Sequence, residues 1–347
     1  YEIKECDWSS DVCSSDLWFW KLSYRFPIPT ESDLQATPRG ALGDKLGMTL
    51  FGQEIKLIMK RLIIAFITIV LLSTAVYAES SVWKLDTDNG SFYLAGSCHV
   101  LRKSDYPLPD EFESAYDDVD QVIFETDIEA LMSPDIQLLL VSKGMYTGGN
   151  TLEKKLSKKA YDSLTEYCRD RSMSIDLFQS FKPWMVTMIL LVLELEKNGI
   201  SSADGLDMYF SNKAKKDGKQ TGGLEDVYKH IELVSSFEEE FDDSIVESFI
   251  EEVGEVPVIM EGLIKSWKAG DEVGIDEYLS DNMRKEFPQL YKRLLTDRNR
   301  DWVPHLETLI GSGERTLVIV GVGHLVGEGS VISLLKSRGY KVKKCKS

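Results

Sequence analysis

Ser91-Phe92-Tyr93-Leu94-Ala95-Gly96-Ser97-Cys98-His99 and Thr316-Leu317-Val318-Ile319-Val320-Gly321-Val322-Gly323-His324 share one outline. Each is a mostly apolar run of strand length that ends in Gly-x-x-His. The first is followed by a short helix, Asp110 to Tyr116, and a strand, Val122-Ile123-Phe124-Glu125. The second is followed by a helix, Ser330 to Arg338, then Gly339 at the C-cap and a strand, Tyr340 to Lys344. One four-residue pattern recurs by chance, but two copies at equivalent strand ends point to a shared site. The repeated strand–GxxH–helix–strand unit predicts an α/β fold with a mixed central sheet, in which ligands bind at the carboxyl ends of strands. Glu125 also closes a strand and offers a carboxylate at the same edge.

Outward from these units, Val82 to Leu85 reads as a first strand. The middle of the chain, about 151–311, shows i, i+3, i+4 apolar spacing and predicts a large helical insertion forming a cap. Leu152 to Cys168, Ile175 to Glu196 and Phe241 to Ala269 are its clearest helices, and Lys219 to Leu224 reads as a strand within it. Pro304 is expected in the first turn of a helix, where a missing donor is harmless. His305 behind it then has a surface or supporting role. Trp184, Trp267 and Trp302 are expected as core anchors.

The apolar run Leu62 to Leu72 follows Met59-Lys60-Arg61 and precedes Ser73-Thr74-Ala75-Val76-Tyr77-Ala78. That is the layout of a secretory signal over 59–78 with cleavage after Ala78, and the apolar core is short for a bilayer that needs about 20 residues. A periplasmic or secreted location is expected, an uncleaved membrane anchor being the alternative. Residues 1–58 then have no role in the fold, and Asp7 to Leu17 resembles a translated sequencing adapter. The working domain is 79–347.

The 347 residues carry 57 acidic and 40 basic side chains, a net charge of −17. Such acidity excludes a nucleic-acid binder that works through a basic surface. Five cysteines are too few for a disulfide frame, and Cys98, Cys168 and Cys345 are an odd number beyond the signal. No phosphate-binding loop, Cys-x-x-Cys or His-Glu-x-x-His is present.

The four histidines are His99, His230, His305 and His324, and two of them sit in the repeated motif. Imidazole nitrogens with a carboxylate suit Zn, Mn, Co or Fe. The glycine before each histidine lets the backbone turn tightly or approach a ligand. Two structural histidines capping loop carbonyls are the alternative.

The segments Leu94 to Arg102, Leu108-Pro109, Val122 to Asp127, Gly205-Leu206-Asp207, Gly222-Gly223-Leu224-Glu225, Asp297 to Trp302 and Val320 to Leu325 resemble, in order, the TraB/GumN/Tiki family. The resemblance implies a fold like that of erythromycin esterases and haem-binding ChaN-like proteins. It also implies a Tiki-type peptidase site using Mn or Co, with a peptide or protein as substrate. By position, His99, Glu125 and His324 are the implied metal ligands, Glu225 and Arg298 the next candidates, with Asn299 in support. Metal-assisted hydrolysis then assigns Glu225 as base and Arg298 as partner of an oxyanion or substrate carboxylate. A binding protein that sequesters a peptide or a haem-like ligand is the alternative. Cys98 and His230 depart from the family pattern, and Cys98 raises the question of a reactive thiol beside a ligand.

Overall fold

The computed structural model describes residues 79–87, 90–236 and 243–346. The expected signal, residues 1–58 and residues 237–242, which include the start of the expected Phe241 to Ala269 helix, lie outside the described residues. Six strands form one sheet: β1 (Glu79–Leu85), β2 (Phe92–Ser97), β3 (Gln121–Thr126), β4 (Gln220–Glu225), β5 (Thr316–Gly321) and β6 (Val342–Lys346). Their order is β4-β3-β5-β2-β1-β6. β4, β3, β5 and β2 pair in parallel, whereas β1 runs antiparallel to β2 and β6. The sheet is therefore mixed, as the repeated unit predicts.

The pairing decides where the site falls. β5, the fifth strand along the chain, lies between β2 and β3. Gly96 stands opposite Val320 and Ser97 opposite Gly321, so both Gly-x-x-His segments leave the sheet side by side. Phe124 faces Ile319 across the β3–β5 pair, and Thr126 faces Glu225 across the β3–β4 pair. Glu125 and Glu225 thus reach the same edge.

Every residue of β2, β3 and β5 is buried, the pattern of parallel strands covered on both faces. The helices that share this core are α1 (Asp110–Asp117), with Phe112, and α4 (Leu206–Asp217), with Phe210. Further along are α7 (Val256–Lys268), α8 (Arg298–Ser312) and α9 (Val331–Ser337), with Trp267, Trp302 and Leu335. Each fully buried side chain of this size stabilises by roughly 1.5–3 kcal/mol. Trp184, Trp267 and Trp302 are all buried anchors, as expected. Trp267 also donates through Nε1 to the Gly96 carbonyl at 2.6 Å, pinning the end of β2.

The middle of the chain does not form a cap as one body. A second core, with Leu152, Leu164, Val186, Leu190, Val246 and Val253, joins α2 (Lys158–Asp170), α3 (Pro183–Lys197) and α6 (Asp243–Glu252). β4, α4, α7 and α8 instead belong to the sheet core. The expected long helices are also broken. Leu156 is extended and Ser157 caps α2 through Ala160 N. Lys182 is extended because Pro183 follows it, so the Ile175 stretch stops at Phe178. A tight turn, Val253–Glu255, separates α6 from α7, which has proline in its first turn. Pro304 lies inside α8, not in its first turn, because that helix already begins at Arg298. Gly339, at φ 95°, takes the left-handed position after α9 that a C-cap glycine supplies.

Among the described residues no helix is long and apolar enough to cross a membrane.

Candidate functional site

A cavity of about 310 Å³ opens at the carboxyl edge of β2, β3 and β5. His99, Glu125, Arg298 and His324 all line it, and the sheet register explains why they meet. Glu225 is not among the lining residues; it stands behind Arg298.

His99 follows the end of β2, and 57% of its side chain is exposed. Its Nδ1 donates to Asp207 Oδ2 at 2.8 Å, and its Nε2 faces Glu125 Oε1 at 3.7 Å. Asp207 opens α4, whose start approaches β2 closely: Leu206 N donates to the Cys98 carbonyl at 3.1 Å. A Cβ on Gly205 would overlap the His99 carbonyl oxygen, so this approach requires glycine. The Asp207 carboxylate, with Glu125 in support, raises the His99 imidazole to about 9. At neutral pH the metal-free His99 is an imidazolium held between Asp207 and Glu125.

His324 is buried and in the opposite state. Arg298 Nη1 lies 3.2 Å from its Nε2, and an arginine can only donate, so that nitrogen carries a lone pair. The proton is on Nδ1, which donates to Asn299 Oδ1 at 2.6 Å. Burial, with Arg298 and His99 beside it, outweighs the opposing charge of Glu125 and lowers the imidazole to about 4. Nε2 also lies 3.7 Å from Glu125 Oε1.

Glu125 is the single carboxylate lining the cavity among the described residues. Burial works against its ionisation, but the neighbouring His324, Arg298 and His99 and the Gly321 N–H outweigh it and hold it well below the usual range. Gly321 N donates to Oε1 at 2.7 Å and Arg298 Nη2 to Oε2 at 2.6 Å.

Glu225 is saturated. Oε1 accepts from Arg298 Nη2 and His230 Nδ1, both at 2.7 Å. Oε2 accepts from Arg298 Nε at 3.1 Å and Trp302 Nε1 at 3.0 Å. Burial opposes its ionisation, but these donors hold it below the ordinary carboxylate range. It does not serve as a charge at the N-terminus of the next helix, α5 (Val227–Ser235): Asp226 is the N-cap there and accepts from Tyr228 N and Lys229 N.

Arg298 is no surface salt bridge. It is 11% exposed and all five N–H groups have acceptors: Glu225 twice, Glu125, His324, and the Leu294 carbonyl at 3.2 Å. Trp302 lies 4.6 Å under the guanidinium and 4.5 Å from the His324 ring.

Glu125, Glu225 and His230 each place one potential ligand atom within 4.8 Å of the others. The guanidinium bonds both carboxylates of that group and also donates to the Nε2 of His324, so a cation held by either set would have to displace one of its N–H groups. The side of Glu125 that faces His99 and His324 is open to the cavity. His305 donates to the Leu224 carbonyl at 3.0 Å, a supporting role. Cys98 is buried, and burial pushes its thiol up, so it stays protonated. Cys98, Cys168 and Cys345 are all free.

Sequence reasoning passed over the part played by Asp207 and by Trp302. The motif Gly205-Leu206-Asp207 carried the signal for the first: a glycine at a helix start followed by an acid two positions on.

Fold and site define a mixed α/β protein whose histidines, carboxylates and arginine converge where parallel strands end. The chain belongs to the TraB/PrgY/gumN family, whose family model matches residues 81–344. It is 23% identical over 252 residues to the uncharacterized protein YbaP of Escherichia coli (strain K12), covering 72% of this chain and 89% of that protein. A YbaP from Shigella flexneri is 22% identical with the same coverage. No solved structure matches the chain.

Proposed function

We propose that the protein is a metal-dependent hydrolase of the Tiki type, cleaving peptide bonds outside the cytoplasm after export by the 59–78 signal. One observation carries this reading. Glu125 Oε1 lies 3.7 Å from the Nε2 of both His99 and His324, and each ring is oriented by an acceptor on its other nitrogen. Donors about 2.0–2.2 Å from a common centre lie roughly 3–4 Å apart, and ligand histidines are oriented in this way by their neighbours. Both Glu125–histidine pairs meet that spacing, while the two imidazoles stand more than 4.8 Å from each other and would have to draw together on the ion. His99, Glu125 and His324 would hold the cation, Mn or Co by the resemblance, with Zn or Fe also suited to these donors. Such an ion lowers the pKa of a water and polarises a carbonyl.

The chain's own groups do the rest. As a ligand, His99 would have released its Nε2 proton to solvent, while Nδ1 would go on donating to Asp207, which holds the ring's orientation. Arg298 stabilises negative charge in the cavity through the Nη1–H that otherwise rests on His324 Nε2. The base role expected of Glu225 is not the one its four donors favour; it acts by holding Arg298 in place. The erythromycin-esterase-like or ChaN-like arrangement belongs to the same proposal, and superposition of a crystal structure on those proteins tests it.

The experiment is to strip metal from the protein and assay a peptide library with and without Mn or Co. Metal must restore cleavage, and His99→Ala and His324→Ala must each abolish it. Sequestration of a peptide or haem-like ligand is favoured by one fact, that every Arg298 N–H already has an acceptor; binding without turnover in the same assay decides for it. A finer expectation concerns Asp207→Asn. It keeps an acceptor for His99 but removes the charge, and lowers Mn affinity by about tenfold in a calorimetric titration.

A further inference from the structure

The cavity has two unlike walls. Its floor is the polar group already described. Facing it are Met260 and Leu263 of α7, Leu279, Met283, Leu294 and Leu295, with no charged side chain among them. Leu279 belongs to a π-helical turn, Glu277–Asp281, and Leu294 and Leu295 to another, Lys292–Asp297. Such turns insert an extra residue into a helix and recur at functional sites. The second runs straight into Arg298, and the Leu294 carbonyl accepts from that guanidinium. A Cβ on Gly323 would lie 3.6 Å from Leu279 and 3.9 Å from Leu295, so these leucines roof the loop that carries His324.

Resting on the hydrolase reading, we infer that this roof selects substrates: the peptide bond cleaved is flanked by a long apolar side chain, Leu- or Met-like, seated under Leu279 and Leu295. The side chain must lie within the same cavity as the reacting carbonyl, and Met260, Leu263, Leu279, Met283, Leu294 and Leu295, which line it, are all aliphatic or thioether. A charged side chain there would lose its water and meet no partner. The two methionines adapt to differing shapes, which favours a class of unbranched and γ-branched side chains over one residue.

The test uses one fluorogenic peptide in which the residues flanking the central bond are varied among Leu, Met, Ser, Lys and Asp. It is run with Mn on the full chain and on Leu295→Glu and Leu295→Met, with Leu279→Gln as a second variant where Leu295→Glu does not fold. Leu and Met peptides are cleaved with kcat/KM at least about tenfold above Asp and Lys peptides, the usual reach of an apolar pocket. Leu295→Met keeps that order; Leu295→Glu and Leu279→Gln lose most of it. Cleavage indifferent to the flanking residues, or a wild-type profile in folded Leu295→Glu, overturns the inference. If no peptide is cleaved, the hydrolase reading falls, and calorimetric binding of the same peptides decides the roof's role. A tenfold preference for Leu over Asp that Leu295→Glu erases upholds it, and equal affinities overturn it.

Discussion

Replacing Arg298 with leucine destabilises the protein by about 3–5 kcal/mol, the usual effect of removing one partner from a buried ion pair. The loss is large because two carboxylates depend on one guanidinium. Glu125 and Glu225 are 11% and 14% exposed on their side chains, and Arg298 is the permanent cation bonded to both. Without it, Glu125 retains the Gly321 amide and Glu225 retains His230 and Trp302, and neither set carries a fixed charge. Denaturant unfolding of wild type, Arg298→Leu and the double variant Arg298→Leu/Glu225→Gln measures the effect. The double variant recovers part of the loss, since one uncompensated charge has been removed. Arg298→Lys falls between, because an ammonium keeps the charge but cannot fork across two carboxylates. The single variant melts lower by about 10 °C in a domain of this size. Wild-type stability in Arg298→Leu would remove Arg298 from the centre of the site.

Gly321→Ala has the opposite profile: little change in stability and a loss of metal binding and turnover of about 100-fold or more. Gly321 has φ −49° and ψ 133°, which alanine adopts freely, so no backbone strain arises. The obstacle is space. The added methyl would stand 2.7 Å from His99 Nε2 and 3.1 Å from Glu125 Oε1. His99 is the more exposed of the two and swings aside, so the chain folds while the donors no longer converge. Displacement of a reacting group by about 1 Å is enough for an effect of this size. Melting curves beside an Mn titration separate the two quantities, and unimpaired metal binding by Gly321→Ala would place the centre elsewhere.

The parts of this site that could be read in the sequence are those set by local pattern. A strand announces itself by a short apolar run, and its end by Gly, so His99, His324 and Glu125 could be placed at one edge before any coordinates. The partner of β4 could not be read that way. Glu225 stands where it does because Thr126 pairs with it across the sheet, a contact nearly 100 positions away in the chain. Its saturation by Arg298, His230 and Trp302 follows from that pairing and from α8, whose start the pattern placed too late. The proline at 183 was visible and still read through, because the apolar spacing on either side is continuous. The orientation of His99 depends on Gly205 allowing a backbone approach, and nothing in the spacing of apolar residues records such an approach.

The position of β5 has a consequence for how the protein comes into being. The strand that separates β2 from β3 is made after almost all of the polypeptide, yet it supplies the amide that steadies Glu125 and the loop that carries His324. A growing or shortened chain that stops before β5 has a gap at the middle of its sheet and lacks both His324 and the Gly321 amide. Competence therefore arrives in a single late event, when the last stretch docks. Under the export proposed above, that order would leave the centre unassembled until the last stretch has docked.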